Sequence, residues 1–87
     1  MIEVFKTNVT NKVDAAIIIA HIHQHFTSYV ANFDLQDCDH ILRIKSVNGR
    51  VKATSLIKMV NGFGFHAEVL PEQNSLITMT SESLENQ

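Results

Sequence analysis

Tryptophan is absent from this chain, and cysteine, proline and tyrosine occur once each. A lone cysteine has no partner for an internal disulfide, so a disulfide scaffold is excluded and a reducing cytoplasm is the expected setting. One proline and three glycines leave few chain breakers, which favours continuous elements over a low-complexity segment. Excess positive charge is missing as well. Seven Lys and Arg stand against nine Asp and Glu, a formal charge of −2, so neither a nucleic acid nor an anionic membrane is an expected partner. The densest apolar run, residues 15–20, falls far short of the ~20 residues that span a bilayer. The opening residues carry neither the basic nor the apolar stretch of a secretory leader. Catalytic signatures are lacking too: there is no Gly-rich phosphate loop, no Ser or Cys with a matched base, and no carboxylate pair in apolar surroundings. A non-enzymatic chain without a cofactor is the expectation.

What is present is a packable sequence. The 87 residues are 45% hydrophobic, enough for one small domain where domains run to roughly 100–200 residues. Residues 2–7 alternate β-branched, aromatic and charged side chains and read as a first strand. Ala15, Ile19, Ile22 and Phe26 then fall on one face at helical spacing, which predicts a helix over residues 13–26, with Asn11 as N-cap and Asp14 in the first turn. A second strand is expected over 29–35, with Ala31, Phe33 and Leu35 opposite Val30, Asn32 and Asp34. Gln36 to Asp39 has turn chemistry, and alternation resumes over 40–45 to complete a hairpin. Ala53, Leu56, Ile57 and Val60 mark a second helix over 51–61 that Asn61-Gly62 ends. A last strand over 65–70 stops at Pro71, which has no N–H to give to a ladder.

The predicted order is βαββαβ, an α+β ferredoxin-like sandwich with two helices on one face of a four-stranded antiparallel sheet. It occupies residues 1–71, and residues 72–87 read as a polar, mobile tail in which Leu76-Ile77-Thr78-Met79 is a further edge-strand candidate.

Two stretches carry a resemblance. Residues 32–44 (NFDLQDCDHILRI) and 56–70 (LIKMVNGFGFHAEVL) resemble the heavy-metal-associated domain, the second matching that family's closing helix and the Gly-aromatic approach to its last strand. The resemblance spans about residues 2–70 and implies the ferredoxin-like fold. It also implies a soft-metal site built from a Cys-x-x-Cys loop between the first strand and first helix. Here that loop is Thr7-Asn8-Val9-Thr10-Asn11-Lys12-Val13 and holds no cysteine, so a closed two-thiolate site cannot form within one chain. The chain reads as a degenerate, heavy-metal-associated-like domain that keeps the fold and lacks the ligands.

Five histidines are the compositional excess. On a helix His21 and His25 are neighbours at i and i+4, a spacing that can chelate zinc, nickel or copper, while His23 points elsewhere. Two imidazoles lack the third and fourth ligands of a zinc site, so solvated surface histidines are the plainer reading. Cys38 sits between two carboxylates, Asp37 and Asp39, surroundings that make a poor nucleophile. The topology sends the loop after the first strand, the hairpin turn and the turn before the last strand to one end, which makes Cys38, His40 and His66 a second candidate metal set. The alternative reading of Cys38 is a partly buried small apolar residue closing a turn.

By strand parity the sheet face away from the helices carries Val4, Lys6, Asn32, Asp34, Ile41, Arg43, His66, Glu68 and Leu70. It lacks the stacked aromatics of RNA-binding sheets and mixes charge with apolar residues, which suits a protein partner or a second copy of the chain. Ile17, opposite the core stripe of the first helix, is a further exposed apolar candidate.

Overall fold

A computed structural model describes residues 1–71. The polar tail and the edge strand expected at 76–79 lie outside the described residues. The elements are β1 (Ile2–Thr7), α1 (Lys12–His25), β2 (Tyr29–Asp34), β3 (Ile41–Ser46), α2 (Ala53–Gly62) and β4 (Ala67–Val69). They form one antiparallel sheet ordered β2-β3-β1-β4, the α+β ferredoxin-like arrangement read from the sequence. Both predicted helices and all four strands are present.

Register assigns the two faces. Phe5 lies opposite Leu42 and Val69, Phe33 opposite Leu42, and Ala31 opposite Ile44. These residues face the helices, where Phe5, Leu42 and Ile44 are fully buried against Ile18, Ile22, Leu56 and Val60. Burying such side chains drives the fold at about 25 cal/mol per Å² of apolar surface.

Local signals set the helix boundaries. Asn11 caps α1 as expected, its Oδ1 accepting the N–H of Val13 at 2.7 Å and of Asp14 at 3.2 Å, which satisfies donors that no helical carbonyl can reach. At the other end of α2 the left-handed residue is Gly64, with φ +92°, and not the Asn61-Gly62 pair. Gly64 N–H donates to the Asn61 carbonyl and Phe65 N–H to the Val60 carbonyl. That pairing is a Schellman closure. α2 has no side-chain N-cap. Instead the Tyr29 hydroxyl accepts the Lys52 N–H at 2.8 Å and donates to the Arg50 carbonyl at 3.1 Å, fixing the approach to α2 from the opposite edge of the core.

Several expectations shift. The buried stripe of α1 is Ala15, Ile18 and Ile22, while Ile19 and Phe26 are only half-buried. β4 pairs over three residues and not six, because the Schellman closure carries Phe65 before pairing begins. His40 precedes β3 with φ 45°, and Leu35 and Val51 fall just outside β2 and α2. Among the described residues no helix is long and apolar enough to cross a membrane.

Candidate functional site

The loop in which the resemblance would place metal ligands is occupied by structural work. Thr7 Oγ1 donates to the His40 carbonyl at 2.6 Å and accepts the Val9 N–H at 3.2 Å. Asn8 Oδ1 accepts the His66 N–H at 2.8 Å, Asn11 caps α1, and Val9 is wholly buried. These neutral oxygens are engaged with backbone donors, and none is a soft ligand of the kind copper(I) selects. The loop residues therefore do not fit the family's metal.

The same bonds bring the three loops to one end, as the topology required. They do not gather Cys38, His40 and His66 into one donor set. Among the described residues the compact trio is Asp37, Cys38 and Asp39, whose ligand atoms lie within 4.8 Å of one another. Asp37 Oδ1 already accepts the Asp39 N–H at 2.8 Å, and Asp39 faces Lys6 Nζ at 3.7 Å. Cys38 is exposed and not partly buried. Asp39 and His40 supply backbone carbonyls that bind Thr7, so this turn is held chiefly through its main chain.

On α1 the structure does unite His21 and His25. Their ring centres are 4.3 Å apart at 41°, and the Phe63 ring meets His21 edge-on at 5.2 Å. His25 is exposed, as expected, but His21 is half-buried against Phe63 and only partly solvated. His23 goes to the opposite side of the helix. Its Nε2 accepts the Ala31 N–H at 3.0 Å, so the ring occupies a position on the free edge of β2 that another strand would otherwise use. No sequence signal identifies that acceptor, since it depends on how α1 lies along β2.

The sheet face away from the helices is the largest feature left. Pairing aligns Val30 with Lys45 and Ile2, and Asn32 with Arg43 and Val4, while Leu70 N–H donates to the Val4 carbonyl at 2.9 Å. Ile2 and Val30 are 56% and 49% exposed. A groove along this face is lined by Ile2, Val4, Ile41 and Leu70, with Glu3, Asp37 and Asp39 beside them. Ile2 and Val30 were legible from strand alternation but absent from the expected face. Ile41, expected to be open, is buried at 6% exposure and forms part of the groove wall. A second apolar strip runs along the outside of α1, where Val13 and Ile17 are exposed one turn apart.

Comparison with family models, with curated proteins and with solved structures gives no match.

Proposed function

We propose that this chain is a small non-enzymatic binding module, heavy-metal-associated-like in fold and without that family's cysteines, which pairs with a second copy of itself through the open face of its sheet. The observation that carries this reading is the set of Ile2, Val4, Val30 and Leu70 on a face that neither helix covers, two of them about half exposed or more. Apolar side chains grouped in this way gain about 25 cal/mol for each Å² withdrawn from water, and a partner sheet supplies that withdrawal.

Charge favours a second copy as the occupant. Arg43 and Lys45 stand on the face, and Asp34 and Asp37 lie toward its other end, where Asp39 is already paired with Lys6, so two copies related by a two-fold axis set Arg43 and Lys45 against Asp34 and Asp37. The loop-end donors Cys38, His40 and His66 have no part in this reading. Sedimentation equilibrium of the wild-type chain beside Val30→Lys tests it. A wild-type dimer that Val30→Lys converts to a folded monomer supports the reading, and a wild-type chain that remains monomeric at high concentration overturns it.

A further inference from the structure

We infer that His21 and His25 form a bidentate site for a divalent transition metal, copper(II) above all, on the helical layer opposite the open sheet face. The two rings are already in contact, with centres 4.3 Å apart, and imidazoles at i and i+4 on a helix can share one ion. Copper(II) heads the affinity order of the first-row divalent ions for a nitrogen donor set, above nickel(II) and zinc.

The pair is also held in place before any metal arrives. Both residues project from consecutive turns of a helix whose adjoining face is locked into the core by Ile18 and Ile22, so their Cβ atoms are fixed at about 5–6 Å. Phe63, in the turn after α2, packs edge-on against His21 and restricts that ring's rotation. Rings already in contact and restrained in this way lose less freedom on binding. His23, whose Nε2 is bound to the Ala31 N–H, does not compete as a ligand. His25 faces solvent, which leaves a path for the ion and room for water at its remaining positions.

Titration of the full, untagged chain with copper(II) and then nickel(II), with electron paramagnetic resonance of the copper form, tests the site. One equivalent of copper with two bound imidazoles is expected in the wild type, and one imidazole in His21→Gln or His25→Gln with affinity reduced about tenfold or more. Phe63→Ala, which leaves both ligands in place, should weaken binding while keeping the two-imidazole spectrum. His66→Ala should change nothing. A single imidazole in the wild type, or unchanged affinity in His21→Gln with its helix content intact by circular dichroism, overturns the assignment. Nothing in this test depends on self-association, because the two surfaces lie on opposite layers.

Discussion

His23 on α1 accepts the backbone N–H of Ala31 on β2 through Nε2, at 3.0 Å. β2 is an edge strand, and an edge strand with free donors invites pairing with other chains. Here the nearest helix supplies the partner. The Tyr29 N–H is likewise withdrawn, donating to the Phe26 carbonyl.

The first prediction concerns this bond. Nε2 accepts only when it carries no proton, so the neutral ring must hold its hydrogen on Nδ1, and nitrogen NMR of His23 should report that tautomer. His23→Ala should speed hydrogen exchange at the Ala31 amide selectively. Exchange at Ala31 that is unchanged in the variant would show that the imidazole is not its acceptor.

Tyr29 ties β2 to the start of α2 with two bonds through one oxygen. Tyr29→Phe keeps the ring stacked on Phe26, whose centre is 4.8 Å away, but leaves the Arg50 carbonyl and Lys52 N–H without this partner. Chemical denaturation should show a loss of about 1–3 kcal/mol. A loss below about 0.3 kcal/mol would mean that water replaces the hydroxyl fully.

Adjacent isoleucines on α1 give an internal control for the helix face. Ile18 is fully buried and Ile17 is 49% exposed, so Ile18→Ala should cost about 2–5 kcal/mol and Ile17→Ala about 0.5 kcal/mol or less. Equal losses would place the core on a different side of α1.

Ser46 makes a prediction of opposite sign. Its Oγ is buried with no hydrogen-bond partner among the described residues, and a hydroxyl in that position loses its hydration for nothing. Ser46→Ala should leave the melting temperature unchanged or raise it. A clear decrease would reveal a partner for the hydroxyl.

How much of this was legible in the sequence depends on which interactions are local. The Asn11 cap, the alternation of β1 and β3 and the βαββαβ order all follow from residues close in the chain, and each is present. The choice of Ile18 over Ile19 was not legible, because a run of three isoleucines with alanines around it fits more than one helical face. The helix chose between them through its lie against β2. His21 and His25 follow from an i, i+4 rule that holds on any helix, whereas Phe63 reaches His21 from α2 only through tertiary packing. Cys38, His40 and His66 were grouped by topology alone. The topology did bring their loops together, but the hydrogen bonds that Thr7 and the Asn8 side chain make to main-chain groups of Asp39, His40 and His66 set the spacing there, and sequence spacing carries no information about them.

The central claim, self-association through the open sheet face, is tested most directly by following backbone amide and methyl shifts of the chain by NMR as it is diluted. The account predicts concentration-dependent shifts at Ile2, Val4, Val30, Arg43 and Lys45, with Val30→Lys abolishing them while the fold persists. Shifts confined to Val13 and Ile17 on the outside of α1, or no shift at any concentration, would contradict it.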